Sequence, residues 1–307
     1  MKYEKDPLTL EAQADKLIGR GLIAERDELM ARLQAVNYYR LSGYLHPFRI
    51  LDGDRKPTDA YQPGTTLDEV WRRYNFDRRL RGILLDAIER IEVAVRTRLV
   101  FHFVRQHGGF GYLDPVNLPG FDTVTEYMEW RTGLVEETRH ARKDAFVEHF
   151  NKKYGDHHKE LPLWMLCELM TFGSMLRFAN AIEPGLQKAV ADEYGMADEM
   201  FMAWLKAVYG VRNACAHHSR VWNRKFGAAP NTPHKNKFAH WHAAPKLPND
   251  RVGYALAVCH YWLGLISKTS QWRQRLFSLF DEFPEVPLGE MGLPDTWRTH
   301  PLFRGDE

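Results

Sequence analysis

Apolar positions recur every three to four residues along most of the chain, the period of a helix with one buried face. Leu10, Ala14, Leu17 and Ile18 share such a face, and Gly19 and Gly21 can end that helix. A second helix fits residues 26–36, with Leu29, Met30 and Leu33 inward. Residues 37–64 read as an aromatic connection containing Pro and Gly, with a small hairpin around Asp52-Gly53. Thr66-Leu67-Asp68-Glu69 has the form of a capping box, in which the Thr hydroxyl and the Glu carboxylate satisfy free backbone N–H groups. A helical stripe of Leu80, Leu84, Ile88, Ile91, Val95 and Leu99 then runs to about Arg105. Asp77 is placed to cap a second helix if this pattern breaks near Asn75. Further helices fit residues 122–142, 143–154, 163–181 and 184–194. Asp198 is expected to cap a helix running toward His217. Residues 219–250 contain four prolines and read as loop, and two last helices fit 251–268 and 271–280. Strand-type alternation is scarce, so the predicted fold class is all-α. With no clear linker, residues 1–307 are expected to form a single compact unit.

Composition narrows this little. A chain of 307 residues with 44% apolar and 27% charged residues can bury a real core. The longest apolar run, residues 255–266, is interrupted by His260 and is too short to span a bilayer. The charged start lacks the apolar stretch of a signal peptide. The three cysteines, Cys167, Cys215 and Cys259, are far apart and form no C-x-x-C pair. These features predict a reduced, cytoplasmic protein without a membrane partner.

Charge distribution says more than the net charge of +2. Residues 200–249 contain no Asp or Glu, yet carry Arg212, Arg220, Arg224, Lys225, Lys235 and Lys237 among other cations, together with five histidines. A second stretch, residues 71–105, has nine arginines against four acids. Two such stretches point to a polyanion partner, with Arg224, Lys225, Lys235 and Lys237 as candidate contacts to its backbone.

The segment richest in chemistry is VRNACAHHSRVWNR, residues 211–224. Asn213 and His217 are four apart and share a face of the predicted helix. Arg212 lies about 100° around, within reach of a ligand over that face. Histidine exchanges a proton near neutral pH, and arginine presents a rigid fork of donors that matches a phosphate. RNA carries its own nucleophile, the 2′-OH. A base that removes its proton and an acid that protonates the leaving 5′ oxygen suffice for cleavage without metal. One histidine supplies one of these roles, so a symmetric dimer would supply both. The plainer reading of the same residues is a helix C-terminus whose cations meet the negative end of the helix dipole.

This segment resembles the signature of HEPN domains, helical modules of many prokaryotic ribonucleases. More widely, the chain resembles the abortive-infection AbiD/AbiF family of phage-resistance proteins. The resemblance rests on LTLEAQADKLIGRG (8–21), NYYRLSGY (37–44), FDRRLR (76–81), IERIEVAVRT (88–97), LPLWMLCELMTFGSM (161–175) and VRNACAHHSRVWNR (211–224), with a weaker match at Met291 to Pro294 and Trp297. It implies an HEPN-type helical bundle over residues 66–225, with accessory helices in 1–65 and a C-terminal loop and helices in 226–307. It implies an endoribonuclease acting in phage defence, with Arg212 and His217 in the catalytic positions and Asn213 as the polar residue beside the arginine. The products would be 2′,3′-cyclic phosphate and 5′-OH ends. His218 offers a second spacing that HEPN motifs also allow. The same resemblance admits a non-coding RNA as a partner. The alternative is a non-catalytic RNA-binding or toxin–antitoxin type module with the same fold.

Other candidates carry less. Glu92 and Arg96 form an i, i+4 pair, with Glu89 one turn earlier, and could orient Arg212 or His217 from a neighbouring helix; Arg220 could reach the same place. Tyr38, Tyr39, Arg40 and Tyr44 could stack on RNA but read better as a packed corner. Glu168 lies in an apolar helical pattern and should need a partner, for which a motif arginine is a candidate. The histidines show no firm metal-ligand spacing, and the Gly108 to Gly111 run does not match a phosphate-binding loop. No metal or other cofactor is expected.

Overall fold

The computed structural model describes residues 6–227 and 229–304. Among them it contains twelve α-helices and one two-stranded sheet, an all-α architecture. The chain divides into two units: residues 1–82 with 276–287, and residues 83–275 with 288–307.

The first unit opens with α1 (Leu10–Gly19), whose N-terminus is capped by the Thr9 hydroxyl accepting from Ala12 N at 3.2 Å. Then come α2 (Arg26–Val36) and α3 (Tyr38–Leu45). Helix α3 was not foreseen within the 37–64 connection. It starts because Asn37 adopts a positive φ of 54° and its side chain accepts from Arg40 N at 2.9 Å. Its Leu41, Tyr44 and Leu45 are buried. The expected hairpin is present as β1 (Arg49–Leu51) and β2 (Pro57–Tyr61), antiparallel, with the Asp52 carboxylate accepting from the N–H groups of Asp54 and Lys56 in the turn. The capping box also forms: Thr66 N donates to Glu69 and Glu69 N donates to Thr66 Oγ1, both at 3.2 Å.

Helix α4 (Leu67–His107) follows without a break. The expectation that Asp77 caps a second helix is therefore wrong. Asp77 sits mid-helix and fully buried, where its carboxylate accepts from the Tyr44 hydroxyl at 2.7 Å and from Arg81 one turn on. A buried carboxylate is tolerable only with such partners. Beside it Phe76 packs edge-on against Phe280 and Phe283, and Arg72 forks onto Glu285.

In the second unit the rest of α4 buries Leu84, Ile88, Ile91, Val95 and Leu99, the stripe read from the sequence. Helices α5 (Val124–His140) and α6 (Ala145–Tyr154) follow. The single helix expected over 163–181 is instead two, α7 (Leu163–Leu166) and α8 (Phe172–Ala181). The reason is a polar corner. Thr171 is extended and its hydroxyl caps α8 by accepting from Ser174 N, while Glu137 of α5 accepts from Thr171 N and Ser174 Oγ.

Helices α9 (Pro184–Glu193), α10 (Asp198–Ala216), α11 (Val252–Ile266) and α12 (Trp272–Glu282) complete the set, the last continuing into the first unit. Glu193 of α9 binds Arg98 and His102 of α4, and these partners hold its carboxyl below the usual range. Trp204 of α10 lies among Trp241, Tyr261 and Trp262. The three tryptophans are buried and each stabilises by about 1.5–3 kcal/mol, while Tyr261 is half-buried. Among the described residues no helix is long and apolar enough to cross a membrane.

Candidate nuclease site

Helix α10 positions the motif. Ala197, not Asp198, occupies its extended N-cap; Asp198 and Glu199 lie in the first turn, where their charge meets the positive end of the helix dipole. Phe201, Trp204, Leu205, Val208, Val211 and Cys215 form the buried face. Arg212 and Asn213 are therefore turned to its half-buried flank, and Ala216, His217 and His218 are exposed.

The helix ends in a Schellman turn. His218 N donates to Cys215 O at 3.0 Å and Ser219 N to Ala214 O at 2.8 Å. The residue between these bonds must be left-handed, and His218 takes φ 55°, where glycine is the usual occupant. His217 is the cap residue and keeps nearly helical angles, φ −82° and ψ 10°. The chain then anchors at once, with Val221 and Trp222 fully buried.

Asn213 and His217 are joined through the backbone, His217 N donating to Asn213 O at 2.9 Å, and their side chains are not hydrogen-bonded to each other. The guanidinium of Arg212, the amide of Asn213 and the imidazole of His217 have no side-chain hydrogen bond or ion pair among the described residues. They are open to a ligand.

Helix α4 contributes the acidic side of this corner. Arg96 Nη2 donates to Glu92 at 2.5 Å and to the carbonyl of Met170, between α7 and α8, at 2.9 Å. The buried Arg96 Nε has no partner among the described residues. Burial pushes the Glu92 carboxyl above the usual carboxylate range; Arg96 and Arg212 oppose that rise and the exposed Glu89 adds to it. The structure thus brings Arg212 of α10 into the electrostatic surroundings of Glu92 and Arg96. Cys167, which also feels Arg96, has its thiol raised to about 11, chiefly by burial, so it stays protonated at neutral pH.

Two expectations about neighbouring residues change. Glu168 is exposed on the turn after α7, because the helix breaks there. Its carboxylate takes a 3.8 Å contact from Cys167 Sγ and no bond from a motif arginine. The tyrosine block is split: Tyr44 is buried, Tyr38 accepts from Arg20, and Tyr39 is 88% exposed. The Met170 carbonyl was not legible in the sequence, since nothing there but Thr171-x-x-Ser174 hinted at the break that frees it.

Arg220 is half-buried directly after the turn. Arg224, Lys225, Lys235 and Lys237 are exposed on the 219–250 segment, with Arg224 over the Phe226 ring, and none of these four pairs with a carboxylate among the described residues. No group of three His, Cys, Asp or Glu side chains is gathered to hold a metal among the described residues.

No curated protein and no solved structure matches the chain. A family model described as Abi-like protein matches residues 31–223, a span that holds the polar centre of α4, the broken corner at Thr171 and Arg212, Asn213 and His217 at the end of α10. By that match the chain belongs to the Abi-like, abortive-infection protein family.

Proposed function

We propose that this protein is a metal-independent endoribonuclease of HEPN type, working in the cytoplasm as an abortive-infection effector. Family membership supports the role in phage defence. The observation that carries the chemical reading is the end of α10. There the side chains of Arg212, Asn213 and His217 have no hydrogen-bond or ion-pair partner among the described residues, inside a segment free of acids.

In this reading His217 is the acid or base and Arg212 clamps the phosphate, with Asn213 holding the histidine or the phosphate. The base takes the proton of the 2′-OH, and the oxygen bonds to phosphorus. The bond from phosphorus to the 5′ oxygen breaks, and that oxygen takes a proton from the acid. The products are a 2′,3′-cyclic phosphate and a 5′-OH. Because each chain has one such histidine, a homodimer supplies both roles. His217 is favoured over His218 because it continues the helical track from Asn213, while His218 lies past the helix in the left-handed region. Glu92 and Arg96 act as positioning residues for Arg212.

The test is cleavage of RNA by purified protein in EDTA, with end groups analysed, in the parent and in Arg212→Ala and His217→Ala. Cutting that leaves cyclic phosphate and disappears in both variants supports the proposal. Equal activity in all three removes the site assignment. RNA binding without cleavage in the parent favours the non-catalytic module.

A further inference from the structure

We infer that a groove at the C-terminal end of α11 is a nucleotide-binding site, distinct from the α10 motif. The groove encloses about 700 Å³, within the range of small-molecule sites. It lies between the end of α11, the start of α12, the turn carrying His240 and Trp241, and the chain around Leu302.

Its lining has two halves. One is cationic: Lys268, Arg273 and Arg304 border it, and no carboxylate lines it among the described residues. Partial desolvation holds His240 below the usual histidine range. The other half is aromatic: Trp241, Tyr261 and Trp272. Cations beside a half-buried aromatic ring, that of Tyr261, suit a ligand that joins a phosphate to a heteroaromatic base.

The position sets it apart from the proposed nuclease site. Trp241 and Tyr261 pack on Trp204, at ring separations of 4.6 and 5.5 Å. Trp204 precedes His217 by 13 residues on the same helix, about 20 Å along its axis. Tyr254 and Val258, toward the start of α11, lie with Val208 and Val211, so α11 runs antiparallel to α10 and its far end opens away from the motif. The inference does not depend on cleavage at His217.

One chemistry here has two sources, a free nucleotide or a nucleotide within an RNA strand. The test measures binding of AMP, ATP, adenosine, inorganic pyrophosphate and a short labelled oligouridylate to the full-length His217→Ala chain, whose groove is unaltered. Expected is binding of AMP and ATP, or of the oligouridylate, tighter than that of adenosine or pyrophosphate. Lys268→Glu with Arg304→Glu should weaken it by about tenfold or more. Both side chains are exposed, so the melting temperature of this variant should hold. Lys152→Glu with Lys153→Glu, the same change of charge on α6, should leave binding intact. Preference for the mononucleotides assigns a free ligand, and preference for the oligomer assigns a strand. Pyrophosphate binding as tight as AMP, equal loss in both charge variants, or no binding by any probe overturns the inference.

Discussion

Among the described residues helix α4 carries three i, i+4 acid–arginine pairs, and two of them, unlike the more exposed Asp86 and Arg90, are well buried. Asp77 with Arg81 and Glu92 with Arg96 are both i, i+4, and both are more than four-fifths buried, at 0% and 6% exposure for the first and 16% and 11% for the second. They differ in what completes them. Tyr44 closes the first by donating to Asp77, and its own proton is held more tightly as a result of burial and of that carboxylate. The second has no such lock. Its carboxylate answers to two arginines, one of which, Arg212, belongs to another helix and has no side-chain hydrogen bond among the described residues. The same local sequence device thus fixes structure at one point and leaves an arginine poised at another. The deciding factor is the third group, which the pair itself does not encode.

The contrast is broken or sharpened by five substitutions. The largest effect is expected at the open end: His217→Ala should lower RNA cleavage by about 10²–10⁴-fold, while urea unfolding moves by less than about 0.5 kcal/mol because the side chain is exposed. At the closed pair the pattern should invert. Asp77→Ala leaves Arg81 buried without its carboxylate and should cost about 3–5 kcal/mol in denaturant unfolding, and Tyr44→Phe about 1–2 kcal/mol. If instead Asp77→Ala unfolds no more easily than the parent, the network is not a lock and the comparison fails.

Glu92→Gln is the intermediate case. Glu92 binds its proton more tightly folded than unfolded, chiefly through burial. Its contribution to stability is therefore present below the ordinary carboxylate pKa of about 4.3 and is lost as pH rises through the raised folded value. The glutamine variant lacks that loss. Its stability relative to the parent should climb as pH is raised from about 4 to neutral, as read from unfolding curves at several pH values. A flat difference would mean that the carboxyl titrates alike in both states. The smallest effect is His218→Gly, which relieves a left-handed side chain and should stabilise by about 0.5–1 kcal/mol. Unchanged cleavage in this variant would leave His217 as the acting histidine.

Much of this was legible in the sequence where one signal dominated. The Leu80 to Leu99 stripe, the Thr66–Glu69 capping box and the Asp52 turn are local patterns, and each formed as read. Two of the readings that failed turned on partners distant in the chain. Asp77 reads as a helix start until Tyr44 arrives to bond it. The apolar run from Leu163 reads as one helix until Glu137 of α5 captures Thr171 and Ser174. Asn37 announces α3 only through a positive φ that Asn tolerates but does not demand. For the motif, spacing identified Arg212, Asn213 and His217. It could not tell that the amide and the imidazole would be linked through the backbone alone, nor that the 168 carboxylate would face solvent.

The buried Cys215 before the Schellman turn and the buried Val221 after it also govern how this segment can change in length. Only five residues lie between those two anchors, and the turn already uses the one left-handed position that lets the chain reverse. A residue inserted there has no slack to occupy. It must either unwind the end of α10 or pull Val221 and Trp222 from the core. Point substitutions at the exposed histidines are structurally cheap, whereas insertions and deletions beside them are not. A library that varies residues 216–220 at constant length should therefore return folded proteins far more often than one that adds a single residue.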